Sequence, residues 1–289
     1  MMSLINALPG AVAQGLIWGI MAIGVYLTFR ILDIADLTVD GSLGTGGAVC
    51  IMLMLSGQNV WVAMAGATAA GMAAGLATGI LHTFMGIPAI LAGILTQLGL
   101  YSINLKTMGK ANQAINVDKY DLLVSLRFIR KVPFYKNTIL IVALAIILLI
   151  VVLYWFFGTE LGCSLRATGC NDKMARAQGI NTDFNRVLGL MISNGLVALS
   201  GAMLCQYQGF ADINMGRGAI VIGLAAVIIG EAIFGKVFRN FGFKLLAVAL
   251  GSIIYYLVLQ VVIWLGIDTD LLKLLSAGVV AVFLAIPTW

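Results

Sequence analysis

From Gly41 to Leu105 the chain carries no Asp, Glu, Lys or Arg. A charge at the centre of a membrane helix costs about 2.5–3.5 kcal/mol on the insertion scale, and one passage takes about 20 apolar residues. A gap of this length therefore reads as several consecutive passages through a bilayer. Further charge-free runs cover 1–29, 137–159, 187–211, 218–230, 245–267 and 274–289. Composition agrees: 61% of the 289 residues are hydrophobic, 10% are charged, and the mean hydropathy is +1.05. Soluble domains run at roughly 45–50% apolar and about 25% charged. So few charges cannot coat a soluble globule, which excludes a soluble enzyme, a nucleic-acid-binding domain, a disordered chain and a coiled coil. A β-barrel would alternate polar and apolar residues, and these runs do not. The fold class is an all-α polytopic membrane protein, one transmembrane domain over 1–289.

The net charge of +5 is then no nucleic-acid signature, because the basic side chains sit in short loops. Cys50, Cys163, Cys170 and Cys205 form no C-x-x-C pair and His82 is the only histidine, so neither a metal site nor a disulfide is expected. The N-terminal residues lack a basic region and a small-residue cleavage site, and the first run reads as a retained span.

Polar and turn residues divide the runs into segments 9–29, 42–56, 60–82, 87–105, 137–157, 187–208, 218–234, 244–266 and 271–287. The segment 42–56 is short and opens on Asp40-Gly41-Ser42-Leu43-Gly44-Thr45-Gly46-Gly47, too glycine-rich for an ordinary span. It reads as re-entrant, leaving eight spans. The segment 218–234 is also short. Ala35-Asp36-Leu37 precedes the first short segment and Ala211-Asp212-Ile213 the second; this fits an internal duplication, as in transporters built from broken helices, and equally a coincidence. Ala67, Gly71, Gly75 and Gly79 recur at four-residue spacing, as Gly15 and Gly19 do, and small residues on one face let helix backbones approach closely.

Charge alone does not orient the chain. The loop 106–136 holds seven basic and two acidic side chains, and a positive-inside count places it in the cytoplasm. Lys236, Arg239 and Lys244 vote the other way, on the side of the loop 159–186.

That second loop is the most informative stretch. Asn171 can cap a short helix, Asp172 in its first turn and Arg176 in its last suit the helix dipole, and Gly179 can end it in a left-handed conformation. Met174 and Gln178 share one face, with Asn171 a turn earlier, and Ala175 lies between them. The pattern Ala167-x-Gly169-x-Asn171, then Ala175, then Gly179-Ile180-Asn181, resembles the coupling loop of ABC-transporter permeases of the branched-chain amino acid and ribose type. Leu196–Ala202 followed by Gln206 resembles the next span of that family. Arg30–Ser42 resembles a narrower subgroup paired with lipoprotein binding proteins and linked to aromatic amino acids.

The resemblance implies a permease in the cytoplasmic (inner) membrane of a bacterium, with a cytoplasmic coupling helix in 159–186 and an external 106–136 loop. Implied partners are an ABC ATPase, an extracytoplasmic substrate-binding lipoprotein, a second permease copy and membrane lipid. No cofactor is expected in this chain; ATP and Mg2+ belong to the ATPase. Consistent with that, the chain has no G-x-x-x-x-G-K-[ST] loop, and one histidine serves no catalytic constellation. Leu55-Ser56-Gly57-Gln58 is taken as coincidence.

The residues expected to couple to the ATPase are Asn171, Asp172, Met174, Ala175, Arg176, Gln178 and Gly179. Polar side chains in apolar surroundings are the pathway candidates: Asp36, Thr38, Asp40, Ser42, Gln97, Asn104, Asn194, Gln206, Gln208, Asp212, Asn214 and Glu231. Glu231 is expected to pair with Lys236 or Arg239. Lys106, Lys110, Lys119 and Arg217 are candidates for meeting the binding protein. A sugar or nucleoside permease is the alternative. A stand-alone secondary transporter is a further one, disfavoured because the runs supply almost no intramembrane carboxylates.

Overall fold

The computed structural model describes residues 2–116, 120, 122–129, 137–265, 274, 277–278 and 281–282. The helices are α1 (Met2–Tyr26), α2 (Thr38–Leu55), α3 (Val60–Thr83), α4 (Ala89–Met108), α5 (Thr138–Gly158), α6 (Glu160–Cys170), α7 (Asp172–Ala177), α8 (Thr182–Gln208), α9 (Ala219–Phe234) and α10 (Phe241–Trp264). A π-turn, Leu27–Ile31, extends α1. Two strands, β1 (Asn112–Ala114) and β2 (Phe210–Asp212), pair antiparallel with Gln113 opposite Ala211.

Among the described residues seven helices are long and apolar enough to cross a membrane: α1 with its π-turn, α2, α3, α4, α5, α8 and α10. The expected segment 271–287 lies almost wholly outside the described residues, so a count of eight is not reached.

The segment 42–56 needs correcting. Its helix, α2, starts at Thr38 and has 18 residues. Thr38 Oγ1 lies 2.6 Å from Thr78 Oγ1, near the far end of α3, while a tight turn at 56–59 joins the other end of α2 to the start of α3. The two helices therefore run antiparallel over most of their length, and α2 crosses rather than re-enters. Sequence reasoning cuts it short because Asp40 looks like loop; the carboxylate instead sits in the first turn of α2.

This connectivity gives the bundle two faces. One carries the start of α1, the 106–116 segment and the end of α8: Tyr207 Oη donates to Gly10 O (3.2 Å) and Ile115 N to Gly209 O (2.9 Å). The other carries the π-turn, α6 and α7.

The interior follows membrane rather than aqueous logic. The most apolar helix, α5, is the least buried, whereas α2, rich in Gly, Ser and Thr, is largely buried. Lipid tails are as apolar as leucine, so helices associate through close packing and hydrogen bonds rather than by hiding oil from water. A side chain at Gly71 or Gly75 of α3 would collide with the backbone of Asn194 or Leu190 in α8. Gly46 sits likewise on Ala198, and Gly201 on Leu43. The small-residue stripe thus packs α3 onto α8, and Gly15 and Gly19 pack α1 onto Ile253, Ser252 and Ala249 of α10.

Candidate functional site

The face carrying α6 and α7 is built by three caps. Thr159 accepts from Gly162 N at the start of α6 (3.4 Å), Asn171 Oδ1 from Met174 N at α7 (3.0 Å), and Asn181 Oδ1 from Phe184 N at α8 (3.1 Å). Gly179, at φ +82°, turns the chain between α7 and α8. Asp172 and Asp183 then interleave with two arginines: Arg176 lies 3.5 Å from Asp172 and 3.0 Å from Asp183, and Arg186 lies 3.3 Å and 3.8 Å from the same pair. Ala175 is buried and seats the helix, whereas Asn171, Met174, Arg176, Gln178 and Gly179 are exposed. Met174 is 62% exposed and Phe184, at the start of α8, 53%, so this polar face also displays apolar surface. Gly169 of α6 fits directly on Ile31 of the π-turn, so this face is keyed to the end of α1. A groove of about 480 Å3 beside it is lined by Asp33, His82, Asn171, Asp172 and Arg186 among others.

Four of the pathway candidates meet in the interior. Asp36 Oδ1 accepts from Thr38 N (2.9 Å), which starts α2, and Oδ2 from Asn194 Nδ2 (2.7 Å). Ser42 Oγ donates to Asn194 Oδ1 (2.6 Å). Thr38 continues the network through Thr78 to Thr96 Oγ1 (2.9 Å). All are buried, and the cluster stitches the start of α2 to α3, α4 and α8. Thr78 and Thr96 are members that sequence reasoning misses.

A second group faces outward. A cleft of about 340 Å3 is lined by Asp40, Gln97, Leu98, Tyr101, Asn104 and Arg217, with Gly41 and Ile213. Asp40 Oδ2 accepts from Gly218 N and Oδ1 from Ile220 N, both at 2.9 Å. The carboxylate in the first turn of α2 therefore caps the start of α9, where the helix dipole favours negative charge. The two short segments that share an Ala-Asp motif thus meet in space. Their aspartates also do the same local work: Asp212 Oδ1 accepts from Asn214 N (2.7 Å), two residues on, as Asp36 does from Thr38.

The remaining candidates are scattered. Gln206 is buried and accepts from Leu123 N (3.3 Å). Asp212 is half-buried and Asn214 exposed, on the face opposite α7. Glu231 pairs with neither Lys236 nor Arg239 but with Arg30 of the π-turn, which donates from Nε and Nη2 to both carboxylate oxygens at 2.5–3.0 Å. Lys106 and Lys110 are exposed on the face of the 106–116 segment; Lys119 lies outside the described residues. Cys50 and Cys205 are buried and Cys163 and Cys170 exposed, all as free thiols. Among the described residues no three His, Cys, Asp or Glu side chains cluster as metal ligands.

Residues 8–284 match the family described as the branched-chain amino acid transport system permease component. The chain belongs to this family. It is a membrane-embedded permease of a binding-protein-dependent ABC importer family, with multiple spans in the bacterial cytoplasmic membrane. It is 38% identical, over 97% of its length and 91% of the relative's, to a tyrosine transport system permease protein of Clostridioides difficile (strain R20291). An uncharacterized protein of Rickettsia prowazekii (strain Madrid E) is 35% identical over 97% of both chains. The autoinducer 2 import system permease protein LsrC of Yersinia pestis (strain Pestoides F) is 30% identical over 73% of this permease and 58% of its own length. In fold, the permease is similar to a solved structure of PsaBC from Streptococcus pneumoniae in complex with Fab, with a TM-score of 0.55 and 16% identity over 98% and 95% of the two chains.

Proposed function

We propose that this permease forms the solute pathway of an amino-acid importer, aromatic amino acids being the favoured class, and that the α6–α7 face is cytoplasmic and docks a separate ATPase. One observation carries the coupling role: α7 is capped at Asn171, seated by Ala175 and braced by the four-residue ion network, and it presents Met174 and Gln178 outward. A rigid, partly apolar knob on a polar face suits a protein partner better than a solvated loop does. On this reading the N-terminus and the 106–136 loop are external, and Lys106, Lys110 and Lys119 meet acidic groups of a binding lipoprotein, where complementary charge speeds encounter. The pathway runs between two copies of the permease, while the apolar flanks of α4 and α5 face lipid. The amino-acid class is supported by the tyrosine-system relative. The autoinducer 2 relative supports a sugar-like solute as the second reading.

The test is reconstitution of the permease in vesicles with an ATPase and a binding lipoprotein encoded beside it, followed by ATP-driven uptake of labelled tyrosine, phenylalanine, leucine and ribose. Aromatic amino acids are expected to accumulate. Uptake of ribose alone would favour the second reading, and uptake without ATP would sink the importer assignment. Met174→Glu is expected to reduce ATPase capture by the permease at least tenfold; unchanged capture would remove α7 from the docking face.

A further inference from the structure

The cleft at Asp40 holds more unspent polar chemistry than packing requires. Asn104 is 3% exposed and lines the cleft, yet its amide makes no hydrogen bond among the described residues. The side chains of Gln97 and Tyr101, and the Arg217 guanidinium, likewise have no hydrogen bond or ion pair among the described residues. Arg217 is itself exposed along the cleft, so its guanidinium is free to meet an anion there, and a charged side chain flanked by membrane spans is a functional-site candidate. Gln97 is the ninth residue of the twenty-residue α4, so the cleft reaches from mid-depth toward the face of the 106–116 segment. Its volume, about 340 Å3, falls in the range of small-molecule pockets.

The groups are also arranged by charge. Arg217 offers a planar fork suited to a carboxylate. The Asp40 carboxylate takes backbone donors from Gly218, Ala219 and Ile220 at the start of α9, which leaves it acceptor capacity for one further donor, an ammonium. Tyr101 and Leu98 supply ring and apolar surface beside them, and the amides of Gln97 and Asn104 can both donate and accept. We propose that this cleft is a solute site of the permease itself and takes a zwitterionic amino acid with a large side chain: carboxylate on Arg217, ammonium on Asp40, side chain against Tyr101 and Leu98. Arg217 is then a solute-binding residue rather than a docking residue for the binding protein. The proposal rests on the amino-acid reading above and adds to it that selection occurs in the membrane as well as outside it.

The test uses the full-length permease alone in nanodiscs, with binding of L-tyrosine, tyramine and 3-(4-hydroxyphenyl)propionate followed by saturation-transfer NMR. Tyrosine is expected to bind, and each analogue lacking one charge to bind at least tenfold more weakly, about 1.4 kcal/mol. Arg217→Gln is expected to abolish the preference for tyrosine over tyramine, and Arg217→Lys to keep part of it; a merely structural role would change both ligands alike. If Arg217→Gln does not yield monodisperse protein, Gln97→Ala carries the test, with at least threefold weaker tyrosine binding expected. Equal binding of tyrosine and tyramine to the unaltered permease, or no binding at all, overturns the site. An importer that accumulates tyrosine while its permease binds none overturns the site and leaves the transport reading standing; an importer that carries no amino acid overturns both.

Discussion

Replacing Asn194 by Ala removes three hydrogen bonds at once: the donation to Asp36 Oδ2, the acceptance from Ser42 Oγ and the donation to Leu190 O. Asp36 keeps the backbone donor at Thr38, and Ser42 loses the acceptor of its hydroxyl. A buried polar group stripped of its partner costs about 1–3 kcal/mol, more when charged. Measured hydrogen bonds between membrane helices average nearer 0.6 kcal/mol, because the separated helices also find partners. With one buried carboxyl and one buried hydroxyl affected, the expected loss is about 2–4 kcal/mol. At roughly 2–4 °C per kcal/mol for a chain of this size, the unfolding midpoint in detergent falls about 5–15 °C. Thermal scans read by size-exclusion fluorescence would measure it. Asn194→Asp should be worse, since it sets two carboxyls against each other, and adding Asp36→Asn should restore most of the loss by exchanging the pair. A midpoint for Asn194→Ala within 1 °C of the unaltered protein, or no recovery in the exchanged pair, would refute the claim that this cluster fastens α2 to α8.

Gly75→Val places its β-carbon on the backbone of Leu190 and Met191; with no rotamer to escape into, overpacking of at least about 1–3 kcal/mol should part α3 from α8 and lower the yield of monodisperse protein. Gly99→Ala, where nothing lies within 4 Å, should leave that yield unchanged, and equal damage from both would argue against the close contact. Arg30→Glu and Glu231→Arg should each slow uptake in vesicles while the exchanged double variant recovers it; because the two side chains are 53% and 29% exposed, stability should move by less than about 1 kcal/mol. A double variant no better than the singles would show that the pair's geometry is irrelevant to transport.

Features written by neighbouring residues are legible in the sequence alone. The cap at Asn171, the charges at the two ends of α7 and the left-handed Gly179 are all encoded within a few positions, and α7 occupies 172–177 as that local chemistry requires. The glycine stripe of α3 is legible as a packing face, though not its partner. What a linear reading lacks are pairings across the bundle. Glu231 has Lys236 five positions away, yet it bonds Arg30, 201 positions away, because the π-turn brings that guanidinium to the end of α9. Thr78 and Thr96 bond their own carbonyls four residues back, at Ala74 and Ala92, a habit of any helical threonine that hides their further links to each other and to Thr38. Asp40 is misplaced for the same reason: a carboxylate inside a span looks forbidden until its distant donors are known.

That last case explains two oddities with one contact. α9 has 16 residues, about 24 Å of helix against a hydrocarbon core of about 30 Å. The segment 209–218 makes up the difference by descending from one face, so α9 begins below the membrane surface. Its first N–H groups have no partner within the helix, and each left bare away from water would cost several kcal/mol. Asp40 accepts from Gly218, Ala219 and Ile220, and Gly216 lets the descending chain lie directly on the Asp40 backbone. At the other end Glu231 is held by Arg30. The carboxylate within α2 is thus tolerable because α9 is short, and the short α9 is tolerable because α2 carries a carboxylate. Tied to α2 at its start and to the end of α1 at its finish, α9 cannot tilt alone without breaking one of two charge-assisted contacts.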